Sequence, residues 1–147
     1  MNVRVSHTLV TALRAVPGFE SVDEQTLLTL IGDSANLFWP AGRTVFERGS
    51  PSEGLYIVIS GSVRVVTEGG ADVAALGPGD FFGEFSLLLG TAHTHDAVVN
   101  ESAELMVVPK EKLDELMAAQ PELGRSIRAK AEERMAANLK SAAAARS

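Results

Sequence analysis

The spacing of apolar residues changes twice along this chain of 147 residues, and that change restricts the fold more than any other feature. Residues 6–15 and 23–32 have helical spacing, with Asp23 placed to cap the second helix. From residue 36 the period shifts towards two, and from Lys110 it becomes helical again. Turns rich in Gly, Pro and Ser divide the middle part into strands, which we place at 36–39, 43–47, 55–60, 62–67, 72–76, 96–100 and 103–108.

Many short strands separated by such turns predict a closed antiparallel β-roll rather than a parallel sheet. With helices before and after it, the expected class is α+β. We expect the aromatic residues of this region to form the core of the roll: Phe38, Trp39, Phe46, Phe81 and Phe82. Arg64 alternates with apolar neighbours and should face solvent.

The stretch LGPGDFFGEFSLLLGTAHTH, from Leu76 to His95, indicates a ligand. Gly83 has no Cβ, so the backbone there can approach a bound molecule closely. A short apolar helix is expected to follow, and the unpaired N–H groups at its start suit a phosphate or another small anion. Glu84, beside those donors, is a good acceptor for a sugar hydroxyl. The combination suggests a ligand with both a ribose and a phosphate.

This stretch resembles the phosphate-binding cassette of the cyclic nucleotide-binding domain family, the sensor module of catabolite activator protein, protein kinase A regulatory subunits and cyclic-nucleotide-gated channels. The cassette's Phe-Gly-Glu and the small and apolar residues after it are matched by Phe82, Gly83, Glu84, Phe85, Ser86 and Leu87. The wider resemblance runs from about residue 13 to residue 117. It implies a β-roll of the double-stranded β-helix or jelly-roll type.

The second half of the cassette departs from the family pattern. His93 stands at the position of the family's arginine, nine residues after Glu84, and His95 stands where alanine is usual. Thr94 matches the Ser/Thr variant. An imidazole cannot form the two-pronged pair that a guanidinium makes with phosphate, and its charge is partial near neutral pH. Asp96 adds a negative charge nearby, so we expect weakened binding.

The resemblance implies a non-enzymatic, ligand-sensing regulatory module of signal transduction that binds a cyclic nucleotide, cAMP or cGMP, with no further cofactor. Because family members with Thr at position 94 can bond guanine, affinity for cGMP should be at least comparable to that for cAMP. The Glu84 side chain is expected to face an open pocket. The implied ligand-binding residues are Phe82, Gly83, Glu84, Phe85, Ser86, His93 and Thr94. The alternative is a degenerate roll kept as a protein-interaction or dimerisation module without nucleotide binding.

A metal-dependent, cupin-like enzyme is a third hypothesis. His93 and His95 lie on one side of an extended segment, and cupin dioxygenases use His-x-His ligands. The cupin pattern then needs a glutamate three or four residues on and a distant histidine. Glu101 lies six residues after His95, and the third histidine is His7. Two ligands do not complete a metal site, so no metal is expected.

Composition argues against several classes of function. Thirteen Lys and Arg against nineteen Asp and Glu give a net charge of −6, and no basic cluster precedes the C-terminal tail, so we expect no nucleic-acid binding. No apolar run approaches the roughly 20 residues of a membrane span. The chain has no cysteine and no signal-peptide pattern, which fits a cytoplasmic protein. No nucleophile-elbow serine or carboxylate pair indicates an enzyme.

We expect one domain over residues 1–147, with a helical lead-in at 1–35, the roll with its cassette helix at 36–109, and C-terminal helices at 110–147. No DNA-binding helix-turn-helix is expected. The last helix carries an apolar stripe at every fourth position, formed by Leu123, Ile127, Ala131, Met135 and Leu139. Either this helix folds back over the roll as a lid, or it pairs with a second copy in a homodimer. The effector protein is unknown.

Overall fold

The structure is a computed structural model that describes residues 3–67, 72–84, 90–93 and 95–146, with side chains for these except at 3–8, 73 and 135–146. Two helices come first, α1 (Val3–Arg14) and α2 (Glu24–Asp33). Asp23 caps α2 as predicted, because its carboxylate accepts a hydrogen bond from the backbone N–H of Thr26 at 3.1 Å.

The described residues then form a six-stranded sheet in which all pairings are antiparallel. The strands run in the order β1-β6-β3-β4, with β2 also on β6 and β5 also on β3. This confirms the predicted α+β class with an antiparallel β-roll. The strands are β1 (Ala35–Trp39), β2 (Thr44–Phe46), β3 (Gly54–Val66), β4 (Asp72–Leu76), β5 (Phe81–Phe82) and β6 (Asp96–Pro109).

Two of the predicted turns are wrong. Ser60-Gly61-Ser62 was expected to separate two strands, but β3 runs through it, and β6 likewise continues through 101–102. The register between β3 and β6 shifts at this point, and Gly61 has φ +80. A bulge in a long strand and a turn between two strands both favour a glycine with positive φ, so they have the same signature in sequence.

Two helices complete the described chain, α3 (Lys110–Ala119) and α4 (Pro121–Arg146). None of the described helices is both long enough and apolar enough to cross a bilayer. Pro121 begins α4, as its missing N–H allows at a first helical position.

Successive residues of β3 and β6 face opposite sides of the sheet and bury their side chains in two different clusters. One cluster lies between the sheet and the helices and includes Leu55 and Ile57 of β3, Leu13 of α1 and Leu113 of α3. The other fills the inside of the roll. Its buried members are Tyr56, Val58, Val63, Leu76, Phe82, Ala97, Val99, Ala103 and Leu105.

The first half of the α4 stripe is buried within the single chain. Leu123, Ile127 and Ala131 are at most 6% exposed. A Cβ built on Gly18, in the loop after α1, would lie 2.8 Å from the Cβ of Ser126, so this loop packs tightly on α4. These three residues need no second copy to cover them. Met135 and Leu139 have side chains outside the described set, so a homodimer stays a prediction.

The expectation that Phe38 belongs to the core is wrong, since it is 77% exposed on β1. Phe81 and Phe82 are buried, while Trp39 and Phe46 are partly buried against the roll cluster. Arg64 is partly exposed and pairs with Asp72 at 3.1 Å, close to what was expected of it. The alternation of apolar residues along a strand predicts on which face of the sheet Phe38 lies. It does not predict whether other residues cover that face.

The bulge gives a stability prediction. Gly61→Ala would force φ +80 on a residue with a Cβ and would also place that Cβ against the carbonyl oxygen of Ser102. Gly42→Ala at φ +88 has open space and isolates the backbone strain, about 1–2 kcal/mol. Gly32→Ala, inside α2 with nothing nearby, should stabilise by up to about 1 kcal/mol.

Urea unfolding should therefore rank the three variants with Gly61→Ala the least stable, at more than about 2 kcal/mol below the unsubstituted protein. A Gly61→Ala variant as stable as Gly42→Ala would contradict the close approach of β3 and β6 at the bulge.

Candidate ligand-binding site

The Phe-Gly-Glu segment is fixed to the middle of the sheet by β5. Phe82 pairs with Tyr56 and Phe81 pairs with Ile57. Gly83 follows with φ +83, and a Cβ there would lie 3.2 Å from the Tyr56 ring and 3.4 Å from the carbonyl oxygen of Gly54. The backbone therefore turns sharply and lies close to β3 at the point where the cassette begins.

Phe82 points into the roll and belongs to an aromatic group. Its ring centroid lies 5.1 Å from that of Tyr56 and 5.8 Å from that of Phe46. Phe81, one residue earlier, points the other way into the helical cluster. The two phenylalanines thus hold the start of the cassette in both cores at once.

Glu84 is buried, at 2% exposed, and it forms an ion pair with α4. Nη1 of Arg134 donates to Oε1 of Glu84 at 2.7 Å. The guanidinium also lies 5.2 Å from the centroid of the Phe81 ring, which favours a cation there. Among the described residues no partner lies on Oε2 of Glu84. The carboxylate is therefore oriented by α4 and retains an oxygen that can accept a further hydrogen bond.

His93 is also buried, at 4% exposed, and its ring lies flat on Phe46 with centroids 3.6 Å apart and planes at 4°. Its backbone is fixed as well. The N–H of His93 donates to the carbonyl of Ser50 at 3.0 Å, and the N–H of Gly49 donates to the carbonyl of His93 at 2.8 Å. Phe46 contacts both His93 and Phe82, so it joins the two halves of the cassette.

Burial lowers the pKa of His93, and the negative charge of Glu53 acts in the opposite direction. The ring is therefore neutral at neutral pH and packs as an aromatic surface. His93 is therefore not a solvated loop side chain.

The neighbours of His93 have structural partners of their own. Oδ1 of Asp96 accepts a hydrogen bond from the backbone N–H of Arg48 at 2.6 Å, which ties β6 to the segment after β2. Burial lowers the pKa of His95, an effect that Asp96 opposes and Arg48 reinforces. In the described part of the chain, no three His, Cys, Asp or Glu side chains come together as a metal site would require.

Four of the seven residues expected to bind ligand are placed by the structure: Phe82, Gly83, Glu84 and His93. Phe85, Ser86 and Thr94 lie outside the described residues, and so does the expected cassette helix after Glu84. Sequence reasoning missed the two side chains that hold this site, Arg134 and Phe46. Neither carries a local signal, because Arg134 is 50 residues from Glu84 in the chain and Phe46 looks like any core aromatic.

Comparison with known proteins agrees with this architecture. Residues 37–120 match the model of the cyclic nucleotide-binding domain. The chain belongs to this family. The match begins within β1, ends just after α3 and includes the sequence of the whole cassette.

Relatives and solved structures show the same fold. The chain is 27% identical over 113 residues to the CRP-like cAMP-activated global transcriptional regulator of Mycobacterium tuberculosis, covering 74% of this chain and 50% of the regulator. It resembles the catabolite activator protein of Thermus thermophilus with a TM-score of 0.73 and 28% identity, over 88% of this chain and 63% of that one.

The regulatory subunit of a cAMP-independent protein kinase A from Trypanosoma brucei gives a TM-score of 0.76 at 22% identity, over 88% of this chain and 47% of that one. The chain spans half or less of the length of the curated relatives that it matches.

The ion pair gives a second prediction, which replaces the expectation that the Glu84 side chain faces an open pocket. Glu84→Gln and Arg134→Gln should each lower the free energy of unfolding by about 2 kcal/mol or more, since each leaves a charge with little access to water. The double variant should lose less than the sum, by about 1–3 kcal/mol.

The matched control is Lys130→Gln on the same helix, where Lys130 lies 3.8 Å from Glu133 in an exposed pair worth at most about 1 kcal/mol. Additive losses for Glu84 and Arg134 in urea unfolding would show that the pair contributes nothing.

The buried imidazole gives a third prediction. Its folded pKa lies below the value of about 6.5 in an unfolded chain. His93 therefore contributes full stability above about pH 6.5, and that contribution is lost as the pH falls from there towards the folded pKa. His93→Phe keeps a flat ring on Phe46 without the proton-binding nitrogens.

In urea unfolding from about pH 7.5 to about pH 5, the unsubstituted protein should lose stability more steeply than His93→Phe, by up to about 1.4 kcal/mol per pH unit. His95→Gln separates the contribution of the second histidine. Parallel curves for the unsubstituted protein and His93→Phe would refute a buried neutral His93.

Proposed function

We propose that this domain is a non-enzymatic sensor of a cyclic nucleotide, cAMP or cGMP, in a cytoplasmic signalling protein. Glu84 accepts the ribose 2′-hydroxyl, and the backbone from Gly83 onward meets the phosphate, with Phe85 and Ser86 contributing N–H groups. His93 and Thr94 close the other side of the pocket. An effector in contact with α4 would be close to the site, because Arg134 links that helix to Glu84.

The observation that carries this proposal is that the Glu84 carboxylate is buried and, within the residues that the structure describes, has a partner on one oxygen only. A buried carboxylate is costly unless it has partners, and this one has Arg134 on a single oxygen. A fully structural ion pair would gain from satisfying both oxygens. Oε2 suits a hydroxyl donor, and the positive φ of Gly83 makes the backbone turn directly before this carboxylate.

The charges of the site support weak binding. Glu84 and Arg134 together sum to zero, and His93 is neutral at neutral pH. A cyclic phosphate would thus meet backbone N–H groups rather than an unpaired cation. Arg134 acts as a positioning residue, because it orients Glu84 and links the ligand to α4.

A second candidate is a roll without nucleotide binding that serves as an interaction or dimerisation module. The flat packing of His93 on Phe46 favours it, since this position adds to the core instead of supplying a charge. The fold alone does not distinguish a nucleotide sensor from a module without nucleotide binding. A protein with the same fold is described as the regulatory subunit of a cAMP-independent protein kinase A.

Isothermal titration with cAMP and with cGMP at neutral pH tests the proposal. We expect saturable binding of at least one, with cGMP at least comparable to cAMP. Glu84→Gln should weaken it by about tenfold to a hundredfold through loss of a charged acceptor. Arg134→Gln should weaken it less, and Arg128→Gln, an exposed arginine on the same helix, should leave it unchanged.

His93→Arg separates weak binding from none. A guanidinium can stack on Phe46 as the imidazole does, and it adds the charge that a phosphate prefers. Binding should tighten by about tenfold. If neither nucleotide binds the unsubstituted protein or His93→Arg, and both proteins are folded, the interaction module is the better description.

A further inference from the structure

A cavity of about 350 Å³ lies outside the set of residues assigned to the cyclic nucleotide. Its walls are the loop 49–52 before β3, the loop 90–92 and Lys110 at the start of α3. Its volume is at the lower end of the range for small-molecule pockets, roughly 300–1,000 Å³. It can therefore hold a small metabolite.

Backbone hydrogen bonds hold these walls together. Gly49 and Ser50 exchange hydrogen bonds with His93, which directly follows the loop 90–92. The N–H of Lys110 donates to the carbonyl of Glu53 at 3.4 Å, which sets the start of α3 beside the loop 49–52. The cavity is thus fixed by the same contacts that fix the cassette.

Three side chains on the wall of this cavity can donate hydrogen bonds, those of Ser52, Thr91 and Lys110. The hydroxyl oxygen of Ser52 is buried and has no hydrogen-bond partner among the described residues. A buried polar atom without a protein partner is uncommon, and a bound water or ligand can satisfy it. Lys110 has an exposed ammonium and forms no ion pair within the described chain, and Thr91 adds a second hydroxyl. The remaining wall residues are small or apolar: Gly49, Pro51, Gly90 and Ala92.

We propose that this cavity is a second ligand site, which takes a small metabolite bearing a phosphate or another oxyanion group. The Lys110 ammonium pairs with the anionic oxygens and the Ser52 hydroxyl donates to one of them. The glycines and Ala92 leave room for the rest of the molecule. Occupancy would stiffen the loop 90–92 that leads into His93, so the second site adjoins the cyclic nucleotide pocket without sharing its residues.

Inorganic phosphate is the probe, because it carries the kind of oxyanion group that the proposed ligands have in common. Titrated into the full chain and followed by backbone amide NMR, it should cause saturable shifts at Gly49, Gly90 and Thr91. Lys110→Gln should weaken this binding by about tenfold or more, and Ser52→Ala by less. Lys112→Gln, which removes an ammonium two residues away that lies 3.7 Å from Glu115, should have no comparable effect.

The positions of the shifted amides separate the two sites, because phosphate in the cassette would shift Gly83 and Glu84 instead. Saturable shifts at Gly49, Gly90 and Thr91 that fall with Lys110→Gln support the proposal. Shifts that never saturate, that fall equally with Lys112→Gln, or that are confined to Gly83 and Glu84 would overturn it. Urea unfolding of each variant shows that the loss is not one of folding.

Discussion

The pairing of β3 with β6 is the constraint on which the rest of this domain depends. The two strands pair along nearly their whole lengths, and their alternate residues enter two different cores. A slip of one residue would send Ile57 into the roll and Tyr56 towards the helices, exchanging both cores at once. The register is therefore fixed by packing on both faces. The short strand β5 also places successive residues in different cores, with Phe81 in the helical cluster and Phe82 in the roll cluster.

The location of the site follows from that register. The chain leaves β5 at Gly83, so Glu84 comes out at the boundary between the roll and the helices. A carboxylate buried at such a boundary needs a counter-charge, and α4 supplies it through Arg134. Arg134 in turn lies over Phe81. The residue proposed to read the ribose is thus held by α4, through contacts of Arg134 with Glu84 and Phe81.

Much of the fold could be predicted from the sequence because period and turn chemistry are local properties. The Asp23 cap and the strand at 72–76 are examples. The site could be predicted only in part. The turn at Gly83 has a local signal, but the partner of Glu84 lies on a helix 50 residues away, where one arginine looks like the others. Likewise nothing local distinguishes a histidine stacked on Phe46 from a solvated one, or shows that Phe38 has no cover.

His93 shows what replacing a guanidinium with an imidazole does to such a site. A neutral imidazole lacks the positive charge of a guanidinium, but its ring packs on Phe46, which also contacts Tyr56 and Phe82. With Glu84 already neutralised by Arg134, the electrostatic attraction for any anion becomes small. Recognition in the proposed pocket would then depend on hydrogen-bond geometry at Gly83 and Glu84. Because Arg134 holds the Glu84 carboxylate in place, affinity in the proposed pocket would also depend on the position of α4.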